Sequence, residues 1–234
     1  MQQGRESNPG DSTPFKPGDK TGRVLFVHGL FLRGHEALWL ARNLRRNGLI
    51  LERFRYASRE EQPARVAARL AETLRQTPEL NIIAHSLGGL IALSALAEVL
   101  TAWQGRAVLL GAPFTGSACA RRVAGLWGGE WVLGAAREGL CNGLAPMPVP
   151  DDRVAVLVGT RNRGVGRLLG ACPTPGDGIV RVEETRFEGV LSMPPVRTTH
   201  LGLLFNPQVA AAATRFIRAG VAAIRSQARV PRVG

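Results

Sequence analysis

The fold is decided by a strand-to-helix junction that reads Ile82-Ile83-Ala84-His85-Ser86-Leu87-Gly88-Gly89. Residues 80–84 form an apolar run of the kind that a strand buried on both faces needs, and residues 87–100 are apolar nearly all round. The serine has small residues two positions before and two after it, because the strained turn leaves no room for side chains. The pattern predicts a free Ser86 hydroxyl at a sheet edge, beside a helix dipole that favours a developing oxyanion. A small-residue turn that serves only close helix packing is the alternative.

The rest of the chain repeats this alternation of strand and helix. The connections carry apolar residues at helical spacing, within 36–46 and again within 66–74. A last helix is predicted from Asn206, its cap, to residue 224. Further apolar runs occur at 24–27, 50–56, 107–110 and 154–158. Strands that alternate with helices predict an α/β fold, a mostly parallel sheet with helices on both faces.

Length and composition predict one domain. With 234 residues, 45% hydrophobic and 21% charged, the chain can bury a single sizeable core. We expect a domain over 23–224, with a small cap insertion at about 116–150. Residues 1–22 are expected to be a disordered arm and 225–234 a basic tail. Since no segment suits a signal-peptide core or a membrane span, the predicted location is cytoplasmic.

The formal net charge of +12 raises the question of a nucleic-acid or membrane partner. The basic residues are spread over many segments without a block of five or more, which predicts a solvated basic surface and no nucleic acid. Weak contact with an anionic membrane surface is compatible with this charge. Cys119, Cys141 and Cys172 have no CxxC spacing, so neither a zinc site nor a disulfide framework is indicated. We expect no metal and no cofactor.

The segment Val27-His28-Gly29-Leu30 follows directly on the first predicted strand. Ligands bind at the carboxyl ends of the strands in open α/β sheets. The backbone N–H of Leu30 is therefore predicted to join that of Leu87 in binding the oxyanion of a tetrahedral intermediate. An ordinary strand-ending turn is the alternative.

A nucleophilic serine needs a base, and the chain contains four histidines. His28 and His85 belong to the two turns already described, and His35 leads into the first helix. His200 remains, on a late loop that can return to the sheet edge, and it is the predicted base.

The acid that orients the base is expected between the serine and the histidine, because in this fold the chain order is Ser, then Asp or Glu, then His. Asp177 is the predicted acid, because Gly176 and Gly178 let its carboxylate approach an imidazole closely. Glu183 and Glu184 remain open as alternatives, and a plain Asp-Gly turn would explain Asp177 without catalysis.

Five pieces of the sequence carry a resemblance to a known family. They are Val27-His28-Gly29-Leu30, Ala84-His85-Ser86-Leu87-Gly88-Gly89, Leu110-Gly111-Ala112-Pro113-Phe114-Thr115-Gly116-Ser117, Gly176-Asp177-Gly178 and Thr199-His200. Through them the chain resembles the α/β-hydrolase superfamily, and within it the bacterial lipase and esterase group related to triacylglycerol lipases. The resemblance implies a triad of Ser86, Asp177 and His200, with Leu30 and Leu87 as the oxyanion hole. It also implies that 111–117 shapes the substrate pocket.

The expected activity is hydrolysis of carboxylic esters, with a small-molecule or lipid acyl ester as substrate. The 116–150 insertion is expected to hold one or two short helices at most. Within it, the apolar stretch 126–133 would suit a small cap over an acyl pocket, or else be a packed surface helix. Thioesterase, amidase or acyltransferase activity would use the same triad, and a non-catalytic binding scaffold is the alternative of another class. The predicted pocket residues are His28, Gly29, Phe31, Pro113, Phe114, Trp127 and Trp131.

Overall fold

A computed structural model describes residues 22–150, 152–170 and 175–220. Its six strands form one sheet in the order β2-β1-β3-β4-β5-β6, and every neighbouring pair is parallel. The strands are β1 (Arg23–Val27), β2 (Ile50–Arg53), β3 (Asn81–His85), β4 (Ala107–Leu110), β5 (Val154–Leu157) and β6 (Leu191–Ser192). The predicted N-terminal arm up to residue 21, Asp151, Cys172 and the C-terminal tail lie outside the described residues.

Helices cover both faces of this sheet. The described α-helices are α1 (Leu38–Arg46), α2 (Pro63–Gln76), α3 (Leu87–Glu98), α4 (Ala118–Ala124), α5 (Gly129–Leu133), α6 (Arg137–Asn142), α7 (Val165–Leu168) and α8 (Pro207–Ala219). On one face the sheet packs against α2, α3 and the 116–150 excursion, and on the other against α1 and α8. Successive strand residues therefore enter different cores: Ile82 contributes to the first and Ile83 to the second. The α/β prediction is confirmed, and the two-sided burial explains the unbroken apolar runs.

Several element boundaries differ from the prediction. Strand β2 ends at Arg53 and not at residue 56. Strand β6 was not predicted, because its two residues are too few to form an apolar run. The Asn206 side chain accepts a hydrogen bond from the Gln208 amide, as expected of the cap of α8. Helix α8 ends at Ala219 before Gly220 (φ 60°), and residues 221–224 of the predicted helix lie outside the described part.

The 116–150 excursion contains more structure than the predicted one or two short helices. It holds α4, α5 and α6 and a 3-10 turn over Gly134–Ala136, so that expectation was wrong. Glycines break the stretch into pieces of five to seven residues, each too short to show a helical period in the sequence. Of these helices α6 packs on α3, and α4 packs on both α5 and α6.

Within the described ranges, no helix combines the length and the apolar character needed to cross a lipid bilayer. Cys119 is buried and Cys141 is half-buried. The cytoplasmic location stays a prediction.

Candidate active site

Ser86 occupies the turn between β3 and α3, with φ 55° and ψ −121°. A positive φ is unusual for a residue with a side chain and marks local strain. The turn is held because the Ser86 amide donates to the Leu110 carbonyl oxygen (2.9 Å). It also needs Gly88, where a Cβ would lie 2.2 Å from the Val27 carbonyl oxygen. The backbone thus fixes Ser86 at the carboxyl edge of the sheet, as the sequence pattern predicts.

Asp177 and His200 form a hydrogen-bonded pair at the same edge. The His200 Nδ1–H donates to Asp177 Oδ2 (2.7 Å). Asp177 is fully buried, and its Oδ1 accepts from the amides of Ile179 (3.0 Å) and Val180 (2.8 Å). The His200 amide in turn donates to the Asp177 carbonyl oxygen (2.9 Å). Both oxygens of the carboxylate are therefore used, and the imidazole is oriented with Nε2 unprotonated and free to accept a proton.

Gly111 connects the serine turn with the Asp177–His200 pair. It directly follows Leu110, which binds the Ser86 amide, and it has φ +58°. A Cβ here would lie 3.1 Å from both Asp177 Oδ2 and His200 Cε1. The side chains of Asp177 and His200 therefore pack against Gly111, one residue after the carbonyl group that binds the Ser86 amide. In the described part of the chain no hydrogen bond joins the Ser86 hydroxyl to His200, a bond that in many enzymes tightens only with substrate.

His85 is a second histidine in this cluster, and sequence reasoning assigned it no role. Its Nε2–H donates to the His200 carbonyl oxygen (3.1 Å), and the two rings lie 4.7 Å apart. Its Nδ1 is buried without a partner. Burial, and after it the charge that His200 can carry, lower the pKa of His85 from 6.5 to about 3. His85 is thus neutral when His200 acts, and it holds the His200 backbone in place.

One of the two predicted oxyanion amides, that of Leu87, directly follows Ser86, and the other belongs to the loop after β1. Leu87 is buried and is the first residue of α3, so its N–H has no partner within the helix. Leu30 follows Gly29, where a Cβ would lie 3.1 Å from Ser86 Cβ and from His85 Nδ1. The 28–31 loop thus passes directly against the serine.

Side chains from the segment after β2 hold this loop. The Phe31 amide donates to Ser58 Oγ (3.1 Å), and the Tyr56 hydroxyl donates to the His28 carbonyl oxygen. The His28 ring stacks on Tyr56 with centroids 4.1 Å apart, and burial lowers the pKa of His28. His28 and Phe31 also line a cleft of about 850 Å³.

The other predicted pocket residues are not brought together. Pro113 is buried, and Phe114 is fully buried in the core, with its ring centroid 5.6 Å from that of Phe187. Trp127 is fully exposed and Trp131 largely so. The structure therefore places Phe114 in the core and Trp127 in solvent, and neither lines the described cleft.

The alternative acids serve other purposes. Glu184 is buried, and its two oxygens accept from the amides of Ala118 (2.7 Å) and Arg181 (2.9 Å), so it stabilises the start of α4. Glu183 is on the surface, paired with Arg181 (3.2 Å). Neither contacts His200. No group of three His, Cys, Asp or Glu side chains suits a metal ion within the described residues.

No family model and no curated protein matches the chain. Among solved structures, the mature Bacillus licheniformis lipase BlEst2 aligns with a TM-score of 0.69 and 19% identity, over 87% of this chain and 93% of that one. The metagenomic carboxyl esterase MGS0156 aligns with a TM-score of 0.57 and 22% identity, over 87% and 71%. The RedJ thioesterase of prodiginine biosynthesis in Streptomyces coelicolor aligns with a TM-score of 0.57 and 14% identity, over 90% and 96%. At these identities the likeness is one of fold, and it confirms the predicted α/β-hydrolase fold.

Proposed function

We propose that this chain of the α/β-hydrolase fold is a serine hydrolase that cleaves carboxylic esters, with Ser86 as nucleophile, His200 as base and Asp177 as orienting acid. One observation carries the proposal: the 2.7 Å bond between His200 and a fully buried Asp177, next to a serine with φ 55°. A strained serine, an oriented imidazole and a carboxylate without solvent contact have no evident purpose in a scaffold.

In the first half of the reaction His200 Nε2 takes the proton of the Ser86 hydroxyl while Oγ attacks the ester carbonyl carbon. Asp177 stabilises the imidazolium that forms. The carbonyl oxygen becomes an oxyanion, which the amides of Leu30 and Leu87 bind. The tetrahedral intermediate then expels the alkoxide, which leaves with the proton from His200, and an acyl-serine remains.

In the second half a water molecule takes the place of the alcohol. His200 removes its proton, the oxygen attacks the acyl carbon, and Ser86 leaves with the proton that His200 returns. The products are one carboxylic acid and one alcohol, and the enzyme is restored without a cofactor.

The proposal is tested by labelling with a fluorophosphonate, followed by intact mass, and by hydrolysis of p-nitrophenyl butyrate. We expect one adduct on the wild type, none on Ser86→Ala, and a loss of turnover in that variant of about 10³-fold or more. Ser192→Ala, at an exposed serine of β6, is the matched control and should label as the wild type does. Turnover of Ser86→Ala near the wild-type rate would overturn the assignment.

A thioester would be cleaved by the same residues, and one of the aligned structures is described as a thioesterase. Butyrate esters of p-nitrophenol and of N-acetylcysteamine thiol separate the two classes. A kcat/KM at least about tenfold higher for the thioester, corrected for its intrinsic reactivity, would change the substrate class and leave the role of Ser86 intact.

A further inference from the structure

The cleft of about 850 Å³ opens at the carboxyl ends of β1 and β2, and its lining is rich in arginine. His28 and Phe31 form one wall, and they flank the Gly29–Leu30 amides that pass against Ser86. Two glutamates, Glu60 and Glu61, also line it. The lining arginines are Arg33, Arg53, Arg55, Arg59 and Arg69. We call this space the arginine cleft.

Most of this positive charge has no carboxylate partner. Arg69 pairs with Glu61 (2.7 Å), whereas Arg33, Arg53 and Arg55 form no ion pair with any described residue. Arg59 lies 4.3 Å from the Trp131 ring centroid and donates to the Trp131 carbonyl oxygen (3.2 Å). An open cleft with this surplus attracts anions, and guanidinium groups bind carboxylates and phosphates through paired N–H donors.

The position of the arginine cleft identifies the half of the substrate that reaches it. His200 must protonate the leaving alkoxide, so the alcohol half lies on the His200 side of Ser86. That side is towards β4 and β5, where Asp177 packs against Gly159 just beyond β5. The acyl half then extends in the other direction, over β1 and β2, where the arginines are.

We infer that the ester substrate carries an anionic group, a carboxylate or a phosphate, on its acyl half, and that this group binds in the arginine cleft. The inference rests on the proposed ester hydrolysis at Ser86. It defines the substrate as a half-ester of a dicarboxylic acid or a phosphate-bearing acyl ester, in place of a simple fatty acyl ester.

The test compares two esters with the same leaving group and chain length, p-nitrophenyl hexanoate and mono-p-nitrophenyl adipate. At low salt we expect kcat/KM for the adipate to exceed that for the hexanoate by about tenfold. The ratio should fall towards one at about 1 M salt, where the Debye length is about 3 Å. In Arg55→Gln the ratio should fall about tenfold, and in Arg55→Glu it should invert.

Arg45→Gln is the matched control, because Arg45 is exposed on α1, away from the arginine cleft, and should keep the wild-type ratio. A ratio near one in the wild type, or a ratio that Arg55→Gln leaves unchanged, overturns the inference. The inference is also overturned if the enzyme prefers 4-hexanoyloxybenzoate, in which the carboxylate is on the leaving group, to mono-p-nitrophenyl adipate. If Arg55→Gln loses binding to phosphatidylglycerol vesicles but keeps the ester ratio, the arginines serve a membrane surface instead.

The two proposals fail in different ways. If both esters are hydrolysed with equal kcat/KM and Ser86 reacts with the fluorophosphonate, only the anionic substrate is wrong. If neither ester is hydrolysed and Ser86 takes no label, the ester hydrolase itself is wrong, and the substrate inference falls with it.

Discussion

The two halves of the carboxyl edge are built in opposite ways. On the β4–β5 side Asp177 and His200 are hydrogen-bonded to each other and to backbone groups, and Gly111 packs closely against both side chains. On the β1–β2 side an open cleft carries long arginine side chains, four of them without an ion pair in the described chain. Proton transfer needs atoms fixed within a fraction of an ångström, whereas attraction of an anion tolerates flexible side chains. If this division between chemistry and recognition is real, substitutions on the two sides should differ in the size and kind of their effects.

The largest effect is expected on the buried side, from Asp177→Asn. The amide can present its NH2 group to His200 Nδ1 and so hold the imidazole in the wrong tautomer, which lowers kcat by about 10⁴-fold. The measurement is kcat on p-nitrophenyl butyrate, with thermal unfolding as the check on the fold.

Glu183→Gln is the matched control for this variant, because Glu183 is exposed and does not contact His200. A loss of that size in Glu183→Gln or Glu184→Gln, with Asp177→Asn still active, would mean that another residue is the acid.

A single methyl group should disturb the same side. Gly111→Ala places a Cβ 3.1 Å from Asp177 Oδ2 and His200 Cε1 at φ +58°, so the pair must move. The atoms must give by a few tenths of an ångström, which we expect to lower kcat about tenfold, and the strained φ costs about 1–2 kcal/mol of unfolding free energy. Both are measured on one preparation, by steady-state kinetics and urea unfolding.

Gly170→Ala separates strain from displacement. Gly170 has φ +64°, but no described residue lies within 4 Å of a Cβ there, so its variant carries the same backbone strain without that collision. It should lose stability and keep kcat. Equal kcat values in the two variants would mean that the site tolerates movement and that the β4–β5 side is less rigid than its hydrogen bonds suggest.

How far the sequence predicts the molecule follows the same division. The strands, the Ser86 turn and the Asp177–His200 pair leave local signals, namely apolar runs, small residues at fixed spacing, and an aspartate between glycines. The arginine cleft leaves a weaker signal: Arg53, Arg55 and Arg59 lie close together in the chain, but the cleft forms only when β1, β2 and α2 pack together and bring in the distant Arg33 and Arg69. His85 was visible in the sequence, but its bond to His200 depends on a loop 115 residues away.

The buried side should also limit stability in acid. His85 has its pKa lowered from 6.5 to about 3, so below pH 6.5 the unfolded chain takes up a proton that the folded chain refuses. The contribution of neutral His85 to the free energy of unfolding is then fully present above pH 6.5. Below pH 6.5 the free energy of unfolding falls by up to about 1.4 kcal/mol for each pH unit. His28, whose pKa burial also lowers, adds a slope of the same sign.

His85→Gln removes the titrating ring, and the slope of unfolding free energy between pH 4.5 and 6.5 should become shallower by about 1 kcal/mol per pH unit. The control is His35→Gln, at an exposed histidine before α1, which should keep the wild-type slope. Urea unfolding at three pH values gives the result. An unchanged slope in His85→Gln would mean that folded His85 can take up a proton or contact water. The buried side would then resemble the open arginine cleft more closely.

The smallest effect concerns the excursion that spans the two halves. Its Ala135 amide donates to the Arg59 carbonyl oxygen (2.7 Å), and a Cβ at Gly134 would lie 2.3 Å from that oxygen, so the excursion is fixed to the segment after β2. Trp127 is fully exposed and Leu126 about half exposed, so these side chains face water already and a lid movement has little apolar surface to uncover. We therefore expect the rate on one ester, followed through its solubility limit, to saturate smoothly, within about twofold of the extrapolated curve. A sharp rise beyond the limit would show that the Arg59 contact breaks at an oil–water interface, and that the arginine cleft and the excursion act together as a moving cover.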